Sequence, residues 1–288
     1  MNPLVTIFCL CYNHEKFVAQ ALHSVFNQTY TNIQVIVLDD GSTDGSVKEI
    51  GKQLSNRPDV HFINHTSNMG YCSSLNEVAA LAKGEFVIDL SADDILMPTR
   101  VEVGVREFLK KGESYGVNFS DAFIINEFGK EISVHSQKHP HANIPEGDIY
   151  KNLIDRYFIC PPTLMFRRSV LAKIGGYDET LAFEDFDFLI RSSREFNYFY
   201  TPLPLVKKRI LASSMSATQF VRNSPQRSST YQVCKKIAIL NKTIEEQNAL
   251  KKRLLYECRT SVRLFELHLA LKFLKLYFRL SSPSTMLA

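Results

Sequence analysis

The sequence lacks the features of a zinc protein, a small secreted domain or a membrane-spanning protein. Its six cysteines form no CxxC pair, which excludes the usual zinc spacing and gives no sign of a disulfide framework. No uncharged run reaches the ~18 residues that a spanning helix needs. Met1 leads almost directly into a short apolar strand, without the apolar segment of a secretory signal peptide. Together these absences predict a protein of the reducing cytoplasm.

Net charge is small but unevenly placed. The 288 residues carry a formal net charge of +4. Residues 234–288 hold eleven Lys and Arg against four Asp and Glu, a net charge of +7, which leaves the rest slightly acidic at −3. The chain therefore reads as an ordinary globular body followed by a basic tail, and we expect no nucleic-acid partner.

Strand and helix patterns alternate through the first part of the chain. Short apolar runs predict strands, and the segments between them have the apolar period of helices. The predicted strands cover residues 4–10, 33–38, 60–64 and 85–90, and the predicted helices cover 15–26, 44–54 and 73–82. This alternation predicts an α/β fold with a mostly parallel, doubly wound sheet and right-handed crossovers. Further along, the Ser-, Gln- and Asn-rich range 211–230 predicts a mobile loop, and 231–288 a basic helical tail.

Two of the predicted strands run straight into a pair of aspartates. Residues 33–38 are followed by Asp39 and Asp40, and residues 85–90 are followed, after two residues, by Asp93 and Asp94. Ligands of open α/β sheets bind just beyond the carboxyl ends of the strands. Carboxylates gathered there repel one another unless a cation or hydrogen-bond donors meet them. The pattern is typical of a site for a divalent metal and a nucleotide.

Several motifs follow one another in a characteristic order. They are Tyr12-Asn13, Asp39-Asp40-Gly41-Ser42, Asn68-Met69-Gly70, Ala92-Asp93-Asp94, Gly175-Gly176-Tyr177-Asp178 and Glu184-Asp185. Over roughly residues 4 to 210 this ordered set resembles the family 2 glycosyltransferases of GT-A fold. The resemblance implies a GT-A catalytic domain over 1–210, with 1–98 as the nucleotide-sugar half and 99–210 as the acceptor half.

The resemblance implies roles for residues of the first half. Tyr12 would stack or pack on the base, Asn13 would belong to the same donor-binding site, and Asp40 would accept a hydrogen bond from a base N–H, typically that of uracil. An ionised carboxylate only accepts hydrogen bonds, which suits an imide N–H. Asn68 and Gly70 would belong to a loop that passes close to the nucleotide. The alternative interpretation is structural: an Asx turn for the aspartate pair and a plain turn for Asn68.

The segment from Ser91 to Asp93 resembles the DxD motif of the family with its first aspartate replaced by serine. By this match Asp93 would bind Mg²⁺ or Mn²⁺ between the two phosphates of the donor. Hard cations of this kind take oxygen ligands and keep several waters. Arg209 lies in a stretch where many family members carry a histidine, and it is a candidate for contact with the diphosphate. A solvated basic cluster is the alternative interpretation of that stretch.

On the acceptor side, the resemblance makes Asp185 the general base of an inverting transfer. An acidic helix N-terminus, which the macrodipole favours by itself, is the alternative interpretation. The expected activity is transfer of a sugar from a nucleotide-diphosphate donor, typically a UDP-sugar, to a hydroxyl of a saccharide or lipid-linked acceptor. Two other classes stay open: an inactive nucleotide-binding or scaffold subunit of GT-A type, and a nucleotidyltransferase. The second would need a glycine- and lysine-rich phosphate loop, and residues 11–16 do not supply one.

The tail contains a basic amphipathic helix. One helical face gathers apolar side chains, and Lys and Arg residues lie among the others. The apolar face comprises Leu264, Leu267, Leu271, Leu274 and Phe278. Such a helix binds an anionic membrane surface or packs against protein, either the catalytic domain or a second copy in a homodimer. The first alternative predicts a cytoplasmic protein that is peripheral on the inner face of the cell membrane.

Overall fold

The computed structural model describes residues 2–140, 143–212, 214, 217 and 219–281. The chain divides into two compact units. The first comprises Met1–Gly147, Ile159–Glu179 and Glu195–Leu211, and the second comprises Asp148–Phe158, Thr180–Arg194 and Ala212–Ala288. Two segments of the predicted acceptor half thus group with the C-terminal helices, so the structural division does not fall at residue 210.

The first unit begins with four parallel strands. They are β1 (Val5–Cys11), β2 (Ile33–Asp39), β3 (His61–Asn64) and β4 (Phe86–Ser91), connected by α1 (Val18–Phe26), α2 (Ser46–Leu54) and α3 (Tyr71–Leu81). They lie in the order β3-β2-β1-β4, and all the pairs are parallel. In register, Cys11 is opposite Asp39 and Leu10 is opposite Ser91. The carboxyl ends of β2 and β4 therefore flank the end of β1 at one edge of the sheet.

The first four strands are parallel as predicted, and the rest of the sheet is mixed. It adds β5 (Ile95–Leu96), β6 (Tyr115–Ile125), β7 (Glu131–Val134), β8 (Met165–Arg167) and β9 (Asn197–Arg209), with α4 (Arg100–Lys110) and α6 (Arg168–Ile174). Strand β8 runs antiparallel to both β4 and β6, whereas β6 and β9 are parallel. Strands β6 and β7 form a hairpin, which makes that pair antiparallel, and its turn places Gly129 at a φ of +81°.

The core of the first unit lies against the middle of the sheet. Every residue of β1 is buried, as expected for a central parallel strand that is covered on both faces. Phe108 of α4 stacks on Phe86 of β4 at 4.5 Å between ring centroids, and meets Phe199 of β9 edge-on at 4.9 Å. Burying each such ring contributes about 1.5–3 kcal/mol, which fixes α4 on the sheet.

The second unit is helical among its described residues. Its helices are α5 (Tyr150–Asp155), α7 (Glu184–Ser193), α8 (Pro225–Leu240), α9 (Ile244–Arg263) and α10 (Leu267–Ser281). Helix α8 begins inside the range 211–230 that the sequence predicts as a mobile loop. Buried Arg227, in its first turn, lies 2.6 Å from Glu257 and 3.2 Å from Glu266, so ion pairs hold this segment in a helix. No helix among the described residues is both long and apolar enough to cross a bilayer.

Candidate active site

The loops that follow β1 and β2 are joined through Asn13. Its backbone N–H donates to Ser42 Oγ at 2.8 Å, and its Oδ1 accepts from the Thr43 N–H at 2.8 Å. Asn13 has a φ of +57°, a left-handed conformation that asparagine tolerates better than most residues. These bonds fix the loop beside Tyr12, whose side chain is 44% exposed. Asn13 therefore positions the loop, and the ring of Tyr12 is accessible for stacking.

The two aspartates after β2 have different surroundings. Asp39 is buried, and its two oxygens accept from the N–H and the hydroxyl of Ser42 at 2.8 and 2.7 Å. This is the Asx-type turn that the structural interpretation expects, and it applies to Asp39 alone. Asp40 points instead to the loop that follows β3.

Asp40 receives donors from three residues of that loop. Its Oδ1 accepts from the Met69 N–H at 2.8 Å and lies 2.8 Å from His65 Nδ1, and its Oδ2 accepts from the Gly70 N–H at 3.0 Å. A carboxylate has about four acceptor positions. One position on Oδ2 is therefore left to receive a further N–H, such as that of a base. The Gly70 N–H is also 3.0 Å from Asn68 Oδ1, so the side chain of Asn68 shapes the turn.

Two glycines allow this loop to approach Asp40. Gly70 has a φ of +94°, and a Cβ there would meet no atom within 4 Å, so the space beside it is open. Gly41 has a φ of +72°, and a Cβ there would lie only 2.4 Å from the carbonyl carbon of Ser67. Glycine is required at Gly41 because the two backbones are in contact.

His65 lies between two carboxylates, which the sequence did not predict. Its Nδ1 is 2.8 Å from Asp40 Oδ1, and its Nε2 is 2.8 Å from Glu77 Oε2. Burial alone would lower the pKa of this imidazole, but the hydrogen bonds to Asp40 and Glu77 raise it above 6.5. No local pattern marks His65, because its two partners come from the end of β2 and from α3.

The aspartates after β4 also differ. Asp94 is buried and accepts the Arg209 N–H at 2.7 Å. Burial raises the pKa of the Asp94 carboxyl well above its usual range, and the neighbouring charge of Asp93 adds to this effect. Asp93 is 9% exposed, and no described residue donates a hydrogen bond to its carboxylate. Ser91 Oγ lies 3.4 Å from the hydroxyl of Tyr71. Within the described ranges no group of three or more His, Cys, Asp or Glu side chains is arranged to hold a metal by itself.

Arg209 is engaged by protein groups rather than pointing to the sheet edge. Its side chain is almost completely buried, and burial lowers the pKa of its guanidinium although Asp93 and Asp94 act in the opposite direction. Its donors reach the carbonyl oxygens of Asp93, Asn126 and Glu127 and Oε1 of Gln20, at 2.7–3.1 Å. A contact with a diphosphate would break several of these bonds. In this structure Arg209 fastens the Asp93 turn to the hairpin.

In the second unit, Asp185 lies in the first turn of α7 and is partly exposed. Its neighbour Asp187 is buried and pairs with Arg191 at 2.7 Å, four residues on, and with Lys236 of α8 at 2.6 Å. The predicted pairing of Asp187 with Arg191 is therefore present. Because two cations balance Asp187, the acidic turn is less crowded with negative charge than its sequence indicates.

Comparison with known proteins identifies relatives along most of the chain. The family model described as "Glycosyl transferase family 2" matches residues 6–175. The chain is 27% identical to an uncharacterized glycosyltransferase of Haemophilus influenzae, over 96% of this chain and 92% of that protein. It is 26% identical to the putative glycosyltransferase EpsE of Bacillus subtilis, over 83% of this chain and 84% of that protein. It is also 37% identical to the chondroitin synthase of Escherichia coli, over 38% of this chain but only 16% of that protein.

Solved structures agree on the fold. The mannosyltransferase PcManGT from Pyrobaculum calidifontis, in complex with GDP-Man and Mn²⁺, superposes with a TM-score of 0.67 at 16% identity, over 96% of this chain and 75% of that one. S. aureus TarS 1–349 in complex with UDP-GlcNAc superposes with a TM-score of 0.65 at 16% identity, over 96% of this chain and 90% of that one. These likenesses confirm the predicted GT-A fold. Because the family model covers more than half of the chain, the protein belongs to glycosyl transferase family 2 and is a transferase.

Proposed function

We propose that the protein moves a sugar from a UDP-sugar to a hydroxyl of a saccharide or lipid-linked saccharide, with inversion at the anomeric carbon. The observation that carries the proposal is the pair of carboxylates at one sheet edge. Asp40 keeps one acceptor position unfilled, and Asp93 has no hydrogen-bond donor among the described residues. Strands β2 and β4 place them on either side of β1, where ligands of α/β sheets bind.

The donor half would bind the nucleotide through its base. Tyr12 offers an exposed ring for stacking, and Asp40 accepts the imide N–H of uracil, while Asn13, Asn68 and Gly70 shape the loops around them. A base that presents an acceptor nitrogen at this position would face an ionised carboxylate and be rejected. Guanine also presents an N–H, so GDP is the competitor that must be tested. The related TarS structure contains UDP-GlcNAc, which supports the choice of uracil.

The residues at Asp93 fit a divalent cation that takes most of its ligands from the donor. Mg²⁺ and Mn²⁺ bind carboxylate and phosphate oxygens and keep several waters. A single carboxylate without a protein donor suits this mode, whereas a complete protein cage is missing from the described residues. When bound, the cation would supply charge neutralisation of the departing diphosphate. The PcManGT structure contains Mn²⁺ together with GDP-Man, in line with this assignment.

In the proposed transfer, Asp185 is the general base. Its carboxylate would take the proton of the acceptor hydroxyl as that oxygen attacks the anomeric carbon. The bond between the anomeric carbon and the diphosphate oxygen breaks at the same time, and the nucleoside diphosphate leaves with the bonding electron pair. Attack from the face opposite the leaving group inverts the configuration. Positioned general bases contribute about 10²–10⁴-fold to such reactions.

The test is release of nucleoside diphosphate from UDP-glucose, UDP-GlcNAc and GDP-mannose, with the wild type and with Asp185→Asn. We expect turnover of a UDP-sugar by the wild type and at least a 100-fold loss in Asp185→Asn. UDP affinity should not change in that variant. Asp155→Asn, which alters an exposed carboxylate of the second unit, is the control and should keep full activity. Absence of any release by a chain that binds UDP would instead support an inactive scaffold subunit.

A further inference from the structure

The turn between α9 and α10 has a bulky aromatic residue at a position that usually holds glycine. Phe265 has a φ of +58°. Its N–H donates to the carbonyl oxygen of Val262 at 3.0 Å, and the Glu266 N–H donates to that of Ser261 at 2.8 Å. These two bonds form a Schellman motif, whose left-handed residue is most often glycine because a Cβ is strained there. A phenylalanine at this position lowers the stability of the turn.

The strain at Phe265 is not compensated by burial of its ring. The side chain is 75% exposed, whereas the next residue, Glu266, is buried and pairs with Arg227. The ion pair therefore helps to fix the turn, and the turn holds an aromatic ring out in solvent. A strained, exposed aromatic residue indicates a binding function, since it contributes little to the folded core.

Helix α10 continues this surface with an apolar row. Its inward residues Ala270 and Phe273 are buried, whereas Leu267 and Leu271, one turn apart, are 62% and 56% exposed. The apolar face predicted from the sequence is thus left largely uncovered, and a different set of side chains packs against the protein. Two apolar stripes on one helix leave one of them available to a partner.

A basic row lies beside the apolar one. His268, Lys272 and Lys275 follow one another at helical spacing and are exposed, and Arg259 and Arg263 of α9 are exposed as well. Between residues 258 and 281 the sequence holds five Lys and Arg and one acid, Glu266, which is buried and paired. The exposed charge of this segment is therefore entirely positive.

We propose that Phe265, Leu267, Leu271, Lys272 and Lys275, here named the α9–α10 corner, dock on an anionic membrane surface. The three apolar side chains would enter the interface, and the two lysines would meet acidic headgroups. Apolar side chains flanked by cations are the combination that interfacial helices use, and the charge complements an anionic lipid surface. This docking uses none of the residues proposed for the donor site, and it would hold the enzyme where the lipid-linked acceptors of the proposed function lie.

The experiment is co-sedimentation of the full chain with vesicles of phosphatidylcholine, with and without phosphatidylglycerol. We expect binding to the anionic vesicles only, weakened by salt. Phe265→Gly should weaken it by about tenfold or more, because one aromatic side chain no longer enters the interface. The same variant should melt at an equal or higher temperature, since glycine relieves the turn. Ile239→Ser, which removes an exposed apolar side chain of α8, should bind as the wild type does.

A second pair of variants tests the charge. Lys272→Glu with Lys275→Glu should abolish binding to anionic vesicles, whereas the same change at Lys48 and Lys83, exposed in the first unit, should have little effect. Three results would overturn the proposal. They are no binding of the wild type to anionic vesicles, unchanged binding by Phe265→Gly, and a dimer in sedimentation velocity that Phe265→Gly dissociates. The last would assign the corner to a second copy of the chain.

Discussion

His65 and Asp40 form a hydrogen bond of 2.8 Å between Nδ1 and Oδ1, on the opposite side of the ring from Glu77. Because each ring nitrogen faces a carboxylate oxygen, these contacts favour the doubly protonated, cationic imidazole and raise its pKa above 6.5. When protonated, the ring offsets part of the negative charge beside Asp40, and its hydrogen bond fixes the orientation of that carboxylate. His65 is therefore a positioning residue for the carboxylate proposed to bind the base.

The charge of His65 predicts a pH dependence of stability and donor binding. Its pKa is raised in the folded state, so its contribution is complete below the unfolded value of 6.5 and is lost as pH rises through the folded value. We expect the affinity for UDP and the melting temperature to decline over that interval. His65→Gln should lower the free energy of unfolding by about 1–2 kcal/mol at neutral pH and flatten the profile.

UDP titrations and melting curves across pH check this prediction. His23→Gln, at an exposed histidine of α1, is the control and should keep the wild-type profile. An unchanged profile in His65→Gln would show that another group titrates.

Restoring the missing carboxylate at Ser91 should strengthen metal binding. By the resemblance to the DxD motif, Ser91 stands at the position of the first aspartate, and it ends β4 two residues before Asp93. A second carboxylate adds an oxygen ligand, so Ser91→Asp should increase the effect of Mn²⁺ on UDP affinity by about tenfold. Without metal, the same variant should bind UDP more weakly because the added charge repels the diphosphate. Calorimetry with and without Mn²⁺ measures both effects, and Ser91→Asn, of similar shape but neutral, should show neither.

Arg209 should affect stability and not diphosphate recognition. Its guanidinium bonds four protein acceptors and lies 4.7 Å from the centre of the Phe17 ring. Arg209→Lys cannot reach all of them, and we expect the free energy of unfolding to fall by about 3 kcal/mol. The ratio of UDP affinity to uridine affinity should stay at its wild-type value. A selective loss of UDP affinity would instead assign Arg209 to the diphosphate.

Sequence reasoning located the strands and the aspartate pairs because those signals are local. Strands β1, β2 and β4 are predominantly apolar, and a parallel arrangement brings their ends together. The distinction between Asp39 and Asp40 was also accessible, since an Asx turn to Ser42 is a short-range pattern. The antiparallel pairing of β8 could not be predicted, because it depends on strands that are distant in sequence.

Other features depend on contacts that no sequence window contains. The pKa of His65 is raised by Asp40 and Glu77, and Arg209 is buried by carbonyl groups of a distant hairpin. In the tail, the helical period was evident, but which apolar stripe packs inward is decided by the rest of the second unit. The start of α8 was missed because its polar composition resembles a loop, while ion pairs of Arg227 stabilise it as a helix.

The most direct test of the donor site is calorimetric titration of UDP, GDP and CDP, with and without Mn²⁺, on the wild type and on Asp93→Ala. We predict that UDP binds most tightly, that Mn²⁺ raises its affinity, and that Asp93→Ala loses this increase. Asp59→Ala, at an exposed carboxylate, should retain it. Failure of every nucleoside diphosphate to bind, or an undiminished effect of Mn²⁺ in Asp93→Ala, would contradict the account.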